Sequence, residues 1–154
     1  MATDHAMFMA MAIAEAKAGA AAGEQPFGAV VVRNGEVVCR SRSLKVSTSD
    51  ATAHSETLAI KYATQWLGQR TIPDGVFYST CEPCPMCLGA LLNAEIGTLV
   101  LGARHTAVPT YPDYGDYSVE RFAALTGWRL TLVEGVMTDA CVALYRTADV
   151  PLTR

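Results

Sequence analysis

A chain of 154 residues, 51% apolar and 18% charged, is long enough to bury one core and too apolar for disorder, which needs low hydrophobicity and high net charge. A formal net charge of −3, with the 12 Lys and Arg scattered, argues against a protein that grips long nucleic acid through its phosphates. A small substrate suits that balance better, and residues 1–154 are expected to form a single domain.

Asp4 to Ala22 is Ala-rich, carries apolar residues at helical spacing and runs into Gly23, which predicts a first helix. Its apolar run, Met7 to Ala14, is short, follows Asp4 and His5 rather than Lys or Arg, and continues into Glu15 and Lys17. It therefore reads as neither a secretory leader nor a membrane span. Ala29–Val32 and Val37–Cys39 flank Arg33-Asn34-Gly35-Glu36, and an Asn-Gly pair between two β-prone runs predicts a hairpin. A helical pattern runs from Thr52 to about Trp66, with Asp50 or Thr52 available as N-cap. Val76–Thr80 is a short buried strand, and Pro85–Ala94 a helix opened by proline in its first turn. Thr98–Leu101 is a further buried strand, Val119–Leu125 a short helix, Arg129–Val133 a strand and Met137–Tyr145 a closing helix.

Late strands separated by helices imply parallel crossovers, whereas the early hairpin implies an antiparallel pair. The expected architecture is an α/β fold: a three-layer α/β/α sandwich around a mixed five-stranded sheet. One long irregular stretch, His105 to Ser118, contains Pro109, Pro112, Gly115 and three tyrosines. Loops of this length inside compact domains are usually functional, as lids or binding loops.

Five cysteines is an odd number, and without a leader the chain is expected to be cytoplasmic with reduced thiols. Clustered cysteines then point to metal ligation or catalysis rather than disulfides. Two segments concentrate such residues: Thr52-Ala53-His54-Ser55-Glu56 and the stretch Thr80 to Cys87. Cys84 and Cys87 stand two residues apart at a predicted helix start, where the dipole and free N–H groups favour anionic sulfur and both sulfurs can reach one tetrahedral ion. His54 can add an imidazole, and three ligands leave a fourth position for water. Glu56, on the first turn beyond His54, can take a proton from that water without binding the metal. Two other readings of the cysteines stand beside this one: a redox Cys-x-x-Cys pair, and a closed structural zinc site in which Cys81 joins His54, Cys84 and Cys87. Pro83 and Pro85 stiffen the loop in a way that suits metal presentation.

His-x-Glu followed by Pro-Cys-x-x-Cys is the signature of zinc deaminases. His54-Ser55-Glu56 with Pro83 to Cys87 resembles the cytidine deaminase superfamily. Pro26 to Val30, Asp50 to His54 and Ser79 to Ala90 resemble the branch that holds guanine deaminases, cytosine deaminases and tRNA adenosine deaminases. The resemblance runs nearly the whole length, to the helix around Asp139–Leu144. It implies a cytidine deaminase-like fold, one zinc per chain on His54, Cys84 and Cys87, and Glu56 as the proton shuttle in hydrolysis at the ring carbon bearing the exocyclic amine. It also implies that Phe27 lines the base pocket, that backbone groups of Ser79 to Glu82 face the ring edge, and that the chain pairs as a homodimer.

Departures from the branch bear on substrate. Relatives carry an asparagine ten or eleven residues before the histidine, where this chain has Ser43 or Leu44. Guanine deaminases carry a base-reading Asp segment where this chain has Tyr111 to Tyr117, so Asp113 or Asp116 is the corresponding candidate. The expected function is zinc-dependent deamination of a free nucleobase of guanine or cytosine type, or an analogue. tRNA is disfavoured as a partner and no membrane is involved. The alternatives are a tRNA adenosine deaminase and a non-catalytic zinc-stabilised interaction domain.

Overall fold

The structure is a computed structural model that describes residues 3–148 and 150–153. Residues 1, 2, 149 and 154 of the expected domain lie outside the described residues. The described residues form five α-helices, α1 (His5–Ala21), α2 (Ser55–Leu67), α3 (Pro85–Asn93), α4 (Val119–Thr126) and α5 (Thr138–Arg146), and five strands, the first two of which follow each other directly. The strands are β1 (Gly28–Arg33), β2 (Glu36–Arg42), β3 (Gly75–Cys81), β4 (Thr98–Ala103) and β5 (Thr131–Val133), and they form one sheet in the order β2-β1-β3-β4-β5. Pairing is antiparallel from β2 through β1 to β3 and parallel from β3 through β4 to β5, the mixed sheet anticipated from the hairpin and the later crossovers. The Asn34-Gly35 turn carries positive φ at both residues, the type I′ geometry whose twist matches paired strands.

Side-chain alternation divides the core into two halves. Val30 and Val32 of β1, Tyr78 of β3 and Val100 of β4 pack with α1 and α5, while Ala29, Val31, Phe77, Leu99 and Leu101 pack with α2 and α3. Strands buried on both faces explain the nearly continuous apolar runs, and two helix layers covering one sheet give three layers. Gly28 permits the closest approach: a Cβ there would lie 2.0 Å from the Ala12 carbonyl of α1. Among the described residues no helix is long and apolar enough to cross a membrane.

Two boundaries differ from expectation. The N-cap of α2 is His54, not Asp50 or Thr52; the Asp50 carboxylate instead takes the amide and hydroxyl of Thr52 in a turn one step upstream. The 105–118 stretch opens with a short 3₁₀ turn, His105–Ala107, before its irregular part.

Candidate metal centre and substrate pocket

Two helix starts meet at the ends of the central strands. His54, in extended conformation, hands the chain into α2, so Glu56 falls in the first turn. Cys84 plays the same part for α3, with Pro85 at the first helical position, which is already shaped for proline, and Cys87 one turn on. The pairing of α2 with α3 on one face of the sheet brings the three donors together. Cys84 Sγ and Cys87 Sγ are 3.5 Å apart, and His54 Nδ1 lies 3.7 Å from the first and 3.4 Å from the second. Zinc bonds of about 2.3 Å to sulfur and about 2.05 Å to nitrogen, at tetrahedral angles, require S···S near ~3.8 Å and S···N near ~3.6 Å. The three side chains therefore fit a tetrahedral zinc with one position left over.

Charge in the cluster favours that use. The Cys84 thiol is lowered to about 4, by the hydrogen bond with Cys87 and, against the cost of burial, by His54. The Cys87 thiol is pushed up, first by its hydrogen bond with Cys84 and then by burial, so the pair shares one proton. His54 is raised by its hydrogen bond to Cys84. Cys81 is not part of this group: it is buried in the other half of the core with Tyr78, Cys141 and Tyr145, and burial pushes its thiol up. That separation speaks against the closed four-ligand site.

Glu56 is 5% exposed, and burial raises its carboxyl above the usual range. Ser55 Oγ donates to Oε2 at 3.1 Å, and Oε2 lies 3.6 Å from Cys87 Sγ. Ser79 Oγ lies 3.3 Å from Oε1 and 2.6 Å from the Cys81 carbonyl. A hydroxyl has one proton, and the shorter contact takes it, so Ser79 faces Glu56 as an acceptor suited to a protonated carboxyl. The site can thus hold Glu56 with or without its proton, as a shuttle requires.

Beside the metal donors lies a pocket whose empty space, open mouth included, is about 390 Å³. His54, Ser55, Glu56 and Cys84 form its chemical end, and Phe27, Ser43, Gln25, Tyr111, Pro112, Tyr114 and Thr153 line the rest. Phe27 and Ser43, the two residues before α2 singled out from the sequence, are both among the lining residues. Asp113 and Asp116 do not line it: Asp113 is exposed and accepts the Gly115 amide at 2.7 Å, and Asp116 pairs with Arg121 at 2.6 Å on the surface. A carboxylate at a loop surface keeps its hydration, so the loop meets the pocket through its apolar rings instead. Backbone groups of Ser79 to Glu82 are likewise absent from the lining. The Cys81 and Glu82 carbonyls accept the Ser79 and Tyr111 hydroxyls, and the Glu82 amide donates to Ala103. Gln25 and Thr153 carried no motif signal, because their role depends on a contact across 128 residues of sequence.

A family model described as the cytidine and deoxycytidylate deaminase zinc-binding region matches residues 2–103. The chain is 38% identical over 104 residues to the guanine deaminase of Bacillus subtilis (strain 168), covering 67% of each. It is 40% identical over 101 residues to the tRNA-specific adenosine deaminase of the same organism, covering 66% of this chain and 63% of that one. The solved guanine deaminase from Nitrosomonas europaea matches with a TM-score of 0.84 at 25% identity, over 95% of this chain and 85% of that chain. Of two longer curated relatives that it matches, the chain spans 7% and 26% of the length.

Proposed function

This chain belongs to the cytidine and deoxycytidylate deaminase zinc-binding family, and from that premise we propose that it hydrolytically deaminates a free nucleobase of guanine or cytosine type, or a close analogue, rather than adenosine in tRNA. The observation that carries the choice is how the pocket is covered. Tyr111, Pro112 and Tyr114 border it from the 105–118 loop. Thr153 borders it from the chain's last segment, which is tied down where Gln25 Nε2 donates to the Pro151 carbonyl at 2.7 Å and Lys45 Nζ to the Thr153 carbonyl at 2.8 Å. A flat ring can enter such an enclosure, whereas a ribose or RNA strand would have to displace one of its walls.

Zinc held by His54, Cys84 and Cys87 supplies Lewis acidity that makes water a nucleophile near neutral pH. Glu56 would take one proton from the attacking water and pass it to a ring nitrogen, then take the second proton from the hydroxyl added to the ring carbon and deliver it to the departing amine, so that amine and water become carbonyl and ammonia. Phe27 offers the ring an apolar face, held in place by Tyr145 at 5.2 Å, while Ser43 and Gln25 offer polar groups at its edge. Five free cysteines suit a reducing cytoplasm. Resemblance to the branch supports pairing of two copies through sheet-flanking helices.

The test is ammonia release from guanine, cytosine and adenine, from their nucleosides, and from an anticodon stem-loop at equal concentration. Fastest turnover of a base is expected. Faster deamination of the stem-loop would establish the tRNA reading, and no turnover at all by zinc-loaded protein would favour a non-catalytic domain.

A further inference from the structure

Glu82 sits between the strand that ends in Cys81 and the metal-binding Cys84, yet its side chain turns away from the metal donors. It is 2% exposed, and four groups converge on its carboxylate. Oε1 accepts the His105 amide at 3.1 Å and lies 3.7 Å from His105 Nε2. Oε2 accepts the Val119 amide at 3.1 Å and Arg104 Nη1 at 3.1 Å. His105 is the first residue of the 105–118 loop, and Val119 is the first residue after it. Two backbone links repeat the attachment: Tyr111 donates its hydroxyl to the Glu82 carbonyl at 3.2 Å, and Tyr117 to the Pro83 carbonyl.

We propose that Glu82 is the positioning residue of the substrate pocket: its carboxylate clamps both ends of the tyrosine loop and thereby sets Tyr111, Pro112 and Tyr114 against the base, without a part in holding the metal. This rests on the deaminase pocket proposed above. The chemistry requires a carboxylate. The site presents N–H donors to both oxygens, and an ionised carboxylate is all acceptor, with two oxygens and about four lone-pair sites. Glutamine has the same shape but one acceptor oxygen and an NH₂, which would confront either the His105 or the Val119 amide donor to donor. Pinning both ends also lowers the freedom of a loop that otherwise has to be ordered each time a ligand binds.

The experiment compares Glu82→Gln with Glu134→Gln, which removes a different, 60% exposed carboxylate partner of Arg104. Hydrogen exchange of residues 105–118, zinc content, and kcat and KM on guanine and cytosine are measured in the zinc-loaded protein. Glu82→Gln is expected to keep about one zinc per chain. Exchange in the loop should rise about 10- to 100-fold, the effect of losing one charge-assisted hydrogen bond. KM should rise by about tenfold with kcat changed less than about threefold, the pattern of lost uniform binding. Glu134→Gln should match wild type in all three. If Glu82→Gln does not fold, Glu82→Asp carries the test. It keeps two acceptor oxygens on a shorter arm, and should show faster loop exchange with zinc retained. Zinc loss, or loop exchange and KM equal to wild type, overturns the proposal. If the wild type turns over neither base, the substrate reading fails, while exchange and zinc content still decide the role of Glu82.

Discussion

Replacing Glu56 by glutamine isolates proton transfer from everything else the residue does. The amide is isosteric with the carboxyl, and its two neighbours can accept it: Ser55 Oγ, 3.1 Å from Oε2, can donate to the amide oxygen, and Ser79 Oγ, 3.3 Å from Oε1, can accept from the NH₂. Because burial already raises the Glu56 carboxyl, a neutral group is not penalised there, and metal-free stability should stay within about 1 kcal/mol of wild type. None of the three metal donors is replaced, and an amide oxygen at the Oε2 position still faces Cys87 Sγ, 3.6 Å away in the wild type. Activity should behave differently, because a positioned acid or base contributes about 10²–10⁴ per transfer, or about 2.7–5.5 kcal/mol of barrier. Here one group must serve the water, the ring nitrogen and the leaving amine. The expected loss therefore lies at the upper end, about 10⁴-fold or more. Thermal unfolding, zinc content and ammonia release on the same preparation check the three statements together. A folded, zinc-loaded Glu56→Gln protein whose turnover lies within about tenfold of wild type would refute the shuttle role.

Cys81→Ala should leave zinc at about one per chain, since that sulfur lies in the opposite half of the core, whereas Cys84→Ala should abolish stoichiometric zinc; metal loss in the first variant would restore the closed site of three cysteines and one histidine as a rival. Gly28→Ala should destabilise by more than about 3 kcal/mol in denaturant unfolding, because the new methyl meets the Ala12 carbonyl at 2.0 Å and its amide at position 28 is held by Thr80. Glu24 is buried, which alone would raise its carboxyl, but hydrogen bonds from Ser47 and from the Val46 amide outweigh that and hold it below its ordinary value of 4.5. A depressed folded value means the stabilisation is fully present above the unfolded value and is lost as pH falls through the folded one. Glu24→Gln should therefore flatten the acid limb of stability below about pH 5, and an unchanged limb would remove Glu24 from that role.

The local parts of this protein were legible because their causes are local. The Ala-rich helix, the Asn34-Gly35 turn and Pro85 at a helix start each follow from backbone preferences within a few residues. The metal donors were legible for the same reason: a Cys-x-x-Cys at a helix start and a His two residues from a Glu are short-range patterns, and only their meeting needed the fold. Even a local reading failed where two candidates competed, as at α2, where Asp50 took Thr52 into its own turn and left His54 as the cap.

What the sequence by itself determined was the chemistry on offer: three side chains able to hold zinc, a glutamate two residues from one of them and an aromatic loop. What surrounds that chemistry was decided by tertiary structure. The loop aspartates, plausible by resemblance, face water, and the pocket is bordered instead by Tyr111, Tyr114 and Thr153. Gln25 meets Pro151 and Thr153 from the other end of the chain, and Glu82 gathers Arg104, His105 and Val119 from more than twenty residues away. Spacing along a chain governs neighbours only within a turn of helix or a pleat of strand. Beyond that reach, proximity is set by strand order, by the face each side chain takes and by the layers that cover the sheet, so the walls of the pocket exist only once those layers have packed.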